Sequence, residues 1–280
     1  MTTDTTVTEA GPAPRARLSP RKRKKISLAI QYAVFLVVIV TLAFVADWAA
    51  IQHAFFNLDE ARKAFPDILA VGLKNTIIYT LSGYILGFFL GLVVALMRLS
   101  DVLPYRAIAL AYIEIFRGLP AIVVFMILGF GVPIAFQDYE MPYDPYGTVA
   151  LALGLVSAAY LAETFRAGIE AVPKGQTEAA RSLGMSQGRA MFTVIVPQAI
   201  RIVIPPLTNE LILLFKDSSL VFVIGFTLSG YELFKFGESL STRTGNSTPL
   251  IVAGLLYLCL TVPLGYLVRK LEAKQKRGRV

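Results

Sequence analysis

The run SLAIQYAVFLVVIVTLAFVA, Ser27 to Ala46, passes twenty positions without a charged residue. As a helix rising about 1.5 Å per residue, it covers the roughly 30 Å hydrocarbon core of a bilayer. Comparable runs recur at 70–97, 119–136, 147–165, 202–226 and 249–268. Inside a bilayer every backbone donor and acceptor must be satisfied within the segment, so such runs cross as helices. Apolar residues make up 55% of the 280 and charged residues 16%, a balance that leaves too little polar surface to cover a soluble globule. The expected fold is therefore all-α and integral to the membrane, with six transmembrane helices.

The first run follows RKRKK, Arg21 to Lys25, the order of charges that also opens a secretory signal. It is longer than a typical signal core, and Phe44 spoils a small-x-small cleavage site ending at Ala46, so a retained anchor is expected. Six crossings put both termini on one side. Lys and Arg fall seven in the N-terminal tail, three in 98–118, five in 166–201 and six in the C-terminal tail. The opposite segments hold five, Arg62, Lys63, Lys74, Lys235 and Arg243, beside nine acids that include Asp138, Glu140 and Asp144. Positive charge favours the cytoplasm, so both termini are expected there.

The net charge of +8 flanks apolar runs and is not gathered on a face with interleaved aromatics, which argues for topology and against nucleic acid as a partner. One cysteine, Cys259, excludes an internal disulfide, and one histidine, His53, cannot make a Cys/His metal cluster with it. No GxxxxGK[ST] and no HExxH occurs, so neither a phosphate loop nor a zinc-peptidase helix is expected of this chain. Gly83, Gly87 and Gly91 share one face of the second run and let a neighbouring backbone approach closely, within the subunit or at a subunit interface.

Between two apolar runs lies GQTEAARSLGMSQGRAMFTVIVPQ, Gly175 to Gln198. Pro173 and Gly175 end the helix that leaves the membrane after Glu170. Thr177 is placed to cap a short helix from Glu178 to Leu183, and Gly184 to stop it in a left-handed conformation. Ser186 is placed to start a second helix running to about Val196, before Pro197. An isolated helix this short is marginal and needs a partner. Ala179, Ser182 and Leu183, or Ala180, Leu183 and Met185, offer small and apolar surface to one, with Glu178 and Arg181 projecting as charges. A solvated elbow joining two spans is the competing reading of spacing alone.

EAARSLG followed by VIVPQAIR resembles the EAA loop of bacterial ABC-importer permeases. The stretch AAYLAETFRAGIEAVPKGQTEAARSLG, with YIEIFRGLP upstream and NELILLFKDSSL downstream, resembles the polar amino acid subfamily, and the resemblance covers about 70–270. It implies a five-helix permease core to which this chain adds one N-terminal helix. It also implies a second permease, identical or homologous, two cytoplasmic ATP-binding subunits and an extracytoplasmic solute-binding protein. Thr177, Glu178, Ala179, Ala180, Arg181, Ser182, Leu183, Gly184 and Met185 would then form the coupling helix seated on an ATPase. ATP and Mg would sit on that partner and no cofactor on this chain, which is a transport subunit and not an enzyme. The pattern departs from the family's Lys-Asp-Thr-Ser-Leu at Lys216 to Leu220, and an extra TLSGY precedes Glu232-Leu233.

The layout expected is a basic cytoplasmic tail (1–26), an extra transmembrane helix with an external segment (27–69), the permease core (70–268) with its coupling loop (166–201), and a basic tail (269–280). Within the core, Glu210, Lys216 and Asp217 lie in an apolar run, where ions must be paired or face water. Glu210 and Asp217 share a helix face, and Lys216 points about 100° from Asp217. Asn209, Lys216 and Asp217 could line a pathway for a zwitterion, with Ser157 a further candidate contact. A clasp on a helix kinked by Pro205-Pro206 fits the same charges and is the favoured reading. Glu163 and Arg166 are expected to pair with Arg117 and Glu114 at a gate. An ion-gradient-driven transporter or a channel is the main rival function, though no inverted repeat with midplane ligands is found. A membrane enzyme, the second rival, would need a reactive cluster that His53 and Cys259 do not supply.

Overall fold

The computed structural model describes residues 20–138 and 141–277, and every regular element among them is helical. Most of the N-terminal tail, Glu140 and the last three residues, all counted in the charge balance, lie outside the described residues. The chain divides into two compact units, residues 1–51 and 52–280.

Helix α1, Pro20–Val45, belongs to the first unit and has no buried residue. From Ile26 onward it is apolar around its whole circumference, and only an apolar solvent suits such a helix. The short α2, Trp48–Phe55, carries the chain across the division.

In the second unit, α3 (Leu58–Ala64) starts where Asn57 Oδ1 accepts the amides of Asp59 and Glu60. Then follow α4 (Ile68–Leu99), α5 (Leu103–Gly118), α6 (Ala121–Ala135), α7 (Tyr146–Glu170), α8 (Lys174–Ser182) and α9 (Gln187–Ile224). Helices α10 (Leu233–Thr244) and α11 (Thr248–Arg277) complete the unit. Among the described residues, five helices are long and apolar enough to span: α1, α4, α7, α9 and α11 up to Ala273.

The third expected crossing, 119–136, takes a different form. Helix α6 is too short to span alone and meets α5 at 101°, so a sixth crossing exists only if the bent pair counts as one. The reason is local: Leu119-Pro120 breaks the helix, since the residue before a proline avoids the helical region. The stretch 98–118, read as a cytoplasmic connection for its three cations, is mostly helix α5. It buries Ala109 and Ile113 against Val94, Ala95, Leu161 and Ala162 and turns Arg106 and Glu114 outward.

Helix α9 starts fifteen residues before the apolar run at 202. A π turn over Met191–Ile195 shifts its register, and Pro197 falls in the first turn of the helical stretch beyond, where its missing N–H is not needed. The helix also continues through Pro205 and Pro206. On one side Tyr84 Oη donates to the carbonyl of Leu207 at 3.2 Å.

Helices α4 and α7 pack along the glycine face. A Cβ at Gly83 would collide with Leu153, one at Gly87 with Ser157 Oγ, and one at Gly91 would stand 2.9 Å from both Leu161 Cβ and the Ala158 carbonyl. The stripe therefore serves packing within the chain.

The segment that departs from the family pattern is ordered by a buried acid. Glu232, 0% exposed, caps α10 by accepting the amides of Phe234 (2.6 Å) and Lys235 (2.7 Å), and it accepts Tyr257 Oη at 2.7 Å. Burial pushes its carboxyl up to about 7 despite these three donors.

Candidate functional site: a projecting short helix and an acidic cavity

Helix α7 ends at Glu170, as the proline-glycine pair suggests, and α8 begins at Lys174 with Pro173 as its cap. Thr177 therefore sits inside the helix, half-buried, and does not cap it. The start lies earlier because a proline with φ −56° already holds the angle a helix needs. At the other end Gly184 adopts φ +80°. Its amide donates to the Arg181 carbonyl at 3.0 Å, and the Met185 amide reaches back to the Ala180 carbonyl at 3.1 Å. These two bonds form the motif that closes a helix on a left-handed residue.

The base of the loop is fixed by Val172, Ile195 and Ala199, with Ile169, Met191, Val194 and Ile202 packed around them. Gln198 Nε2 donates to Gln176 Oε1 at 3.2 Å. Of the two faces the sequence offered, Ala180 turns inward at 4% exposure and Met185 is half-buried. Glu178, Ala179, Arg181 and Ser182 face outward, and Leu183 stands 81% exposed. Phe192, one helix later, is 77% exposed.

Residues 184–188 read GMSQG, which fits the GxSxG spacing of a hydrolase nucleophile. Here the serine follows a helix instead of a strand, and Ser186 Oγ accepts the Arg189 amide as the cap of α9. No strand holds it up, and the chain's one histidine, His53, lies before α3.

A cavity of about 190 Å³ lies between α6, α7 and α9, lined by Leu119, Ala121, Phe125, Leu153, Val156, Ser157, Tyr160, Glu210, Leu213, Leu214 and Asp217. Ser157 and Asp217, both named as candidates for a pathway, are in its wall. Ser157 is fully buried and donates to the Gly154 carbonyl. Asn209 and Lys216 are exposed and are not in the lining. Glu210, grouped by sequence with the clasp, shares the cavity wall with Asp217, and their seven-residue spacing was the signal for it. Tyr160, one turn from Ser157, was missed.

At the C-terminal end of α7 the ion pairs run along the helix. Arg166 Nη2 lies 2.8 Å from Glu163 Oε2, and Arg166 Nη1 lies 2.5 Å from Glu170 Oε2. Arg117 sits with its guanidinium 5.5 Å from the centroid of the Tyr160 ring, and Glu114 is exposed. The cross-helix pairs expected between Glu163 or Arg166 and Arg117 or Glu114 do not form, because acids three and four residues away on the same helix reach Arg166 first.

The arginine transport system permease protein of Bacillus subtilis is 37% identical over 205 residues, covering 73% of this chain and 91% of that one. A probable glutamine ABC transporter permease protein of the same organism is 35% identical over 208 residues, covering 74% and 93%. A crystal structure of an amino acid ABC transporter with histidines superposes with a TM-score of 0.68 at 32% identity, covering 78% of this chain and 98% of that one. The family model described as "binding-protein-dependent transport system inner membrane component" matches residues 83–277, a range that holds the capped α8 and the whole cavity lining, and the chain belongs to that family.

Proposed function

We propose that this chain is the membrane-spanning permease subunit of an ATP-driven importer for a polar amino acid. An extracytoplasmic protein delivers the substrate, and a separate ATPase drives the change in which side the pathway faces. The observation that carries this reading is α8: a nine-residue helix, closed at Gly184 and rooted on α7 and α9, that turns Ala179, Ser182 and Leu183 to the outside. A solvated elbow has no need of an 81% exposed leucine at its tip. Relatives named for arginine and glutamine transport support amino acids as the cargo class. An ion-gradient mechanism has no comparable support in the family.

Two such permeases, identical or homologous, stand over two ATP-binding subunits, which hold ATP and Mg. Residues 1–26 and 269–280 are cytoplasmic tails, 27–69 an added helix with its external segment, and 70–268 the core, with 166–201 facing the ATPase. Residues Thr177 to Met185 form the coupling element, of which Thr177, Ala180 and Met185 fix its seat. In the cavity, Glu210 and Asp217 offer negative charge to the α-ammonium group that every amino acid carries, beside apolar walls for the rest. Ser157 and Tyr160 shape the wall, and Lys216 and Asn209 lie away from it.

The test is uptake of labelled arginine, glutamine and glutamate by cells lacking their own permease for each, with and without this chain and its ATPase. Accumulation of at least one that disappears with the Walker lysine of the ATPase supports the reading. Uptake that survives loss of ATP hydrolysis and collapses with the ion gradient overturns it.

A further inference from the structure

The segment between α9 and α10 holds one short 3-10 turn, Leu228–Gly230, and is tied to the helices around it by side chains. Asn75 Nδ2 donates to the carbonyls of Ser229 (2.7 Å) and Tyr231 (2.9 Å), and Tyr79 Oη donates to the carbonyl of Gly230 (2.9 Å). The Leu233 amide donates to Thr76 Oγ1 at 3.0 Å, and Tyr146 Oη of α7 donates to Asn75 Oδ1 at 2.9 Å. Three successive carbonyls are thus taken up by two residues one turn apart on α4. Leu228 and Ser229 are exposed while Gly230 and Glu232 are buried, so the carbonyls turned toward α4 need such donors, because an unpaired carbonyl away from water is costly.

The position of this segment gives the bonds a consequence. Tyr79 packs in one cluster with Phe125, Leu153 and Leu214, which line the acidic cavity, and with Val149, Val221 and Ile224, which do not. Along α7 the order Ser157, Leu153, Val149, Tyr146 leads from the cavity wall to the hydrogen-bonded segment. Val221 and Ile224 belong to the tight 3-10 turn, Ser218–Ile224, that closes α9. Ile224 also presses on Gly129 of α6, where an added Cβ would stand 2.8 Å from its Cγ2. The turn continues directly from Asp217 of the cavity wall, and residues 225–228 join it to the segment at 229–231 that is bonded to α4.

We infer that the Ser218–Ile224 turn is an apolar plug over one end of the cavity and that Asn75 and Tyr79 are positioning residues of transport: their bonds to the Ser229–Tyr231 backbone latch the plug shut, and this end of the cavity opens only when they let go. Its meaning for transport rests on the cavity being the substrate pathway, while its geometry does not. Tyr146 holds Asn75 in the donating orientation, and Tyr257 secures the far end of the segment through Glu232.

The test uses the full chain with Cys259→Ala, in which Val221→Cys places a thiol in the plug. Its modification by a membrane-impermeant maleimide is timed in vesicles of both orientations. Val221 is 2% exposed, so the thiol is expected to react slowly in the otherwise unchanged chain. Tyr79→Phe deletes one hydrogen bond and is expected to raise the rate roughly fivefold from one face, and Asn75→Ala, which deletes two donated bonds, roughly twentyfold. Ala109→Cys, in the separate cluster between α4, α5 and α7, serves as reference and keeps its rate in the same backgrounds. Equal rates at Val221→Cys with and without both substitutions overturn the latch, and so does a parallel rise at the reference. If Asn75→Ala fails to accumulate, Tyr79→Phe alone decides. Uptake in vesicles that also carry the partner ATPase and the binding protein separates the two readings: faster labelling in a chain that carries no amino acid there keeps the latch and discards the pathway.

Discussion

Two residues show how different the local causes of a fixed geometry can be. At Gly184 an added Cβ would meet nothing within 4 Å, so any cost of a side chain there is the left-handed φ of +80° itself. Gly184→Ala should destabilise the end of α8 by about 1 kcal/mol. On the proposed coupling role of α8, Gly184→Asp should leave insertion intact yet abolish stimulation of the partner ATPase, since its charge and side chain would disrupt the tight stop of the helix. Unchanged ATPase stimulation in reconstituted vesicles would count against α8 as the contact. Glu232 is the opposite case, fully enclosed and tightly bonded. Its folded carboxyl holds a proton up to about pH 7 against 4.5 for the free side chain. The folded state therefore binds more protons in that window, and stability falls as pH rises through it, by at most about 3 kcal/mol. Melting of the detergent-solubilised chain should be several degrees lower at about pH 8 than at about pH 5. Glu232→Gln should flatten that difference, and a chain whose melting stays pH-dependent locates the titrating group elsewhere. The left-handed stop at Gly184 and the cap at Ser186 were legible in the sequence, because both are chemistry within a few neighbours. The burial of Glu232 was not, since it depends on Tyr257 on a helix twenty-five residues away.

Among the elements, α4 and α7 make the closest contact. Gly87→Val should force them apart and lower stability by about 1–3 kcal/mol, as overpacking of a tight interface does. Gly254→Ala, with no atom within 4 Å of its added Cβ, is the matched control and should change nothing. Equal melting temperatures for the two variants would mean that α4 and α7 do not pack as described. The glycine face was readable from spacing alone, but its partner was not, because small residues say how near a neighbour comes and not which one. The bent pair α5 and α6 was hidden for another reason. Arg98, Arg106 and Arg117 looked like the marks of a connection, whereas Arg98 ends α4 and α5 leaves Arg106 and Arg117 exposed in the turns before and after buried Ala109 and Ile113. The start of α9 was hidden by Pro197, which ends a regular helix but follows a π turn without harm.

For the molecule as a whole, the two units differ in what holds them. Residues 52–280 contain the buried clusters around Leu153, Leu161, Leu233 and Ile195, whereas α1 buries nothing. Deleting residues 1–51 should therefore leave the melting temperature of the remainder within about 1 °C of the full chain, by fluorescence or light scattering in detergent. A large drop would assign α1 a part in the core. Membrane class and the run of apolar segments could be read from composition, since a bilayer fixes segment length and hydropathy together. The cavity could not, because its lining comes from three helices far apart in sequence. The close fit of α4 on α7 carries a final consequence for motion. Only Ala171 to Pro173 separate α7 from α8, so a pull on the short helix reaches α7 almost undamped. Because Leu153, Ser157 and Leu161 seat in the notches at Gly83, Gly87 and Gly91, α4 is expected to ride with it, the pair acting as one stiff double beam whose far end carries Asn75 and Tyr79.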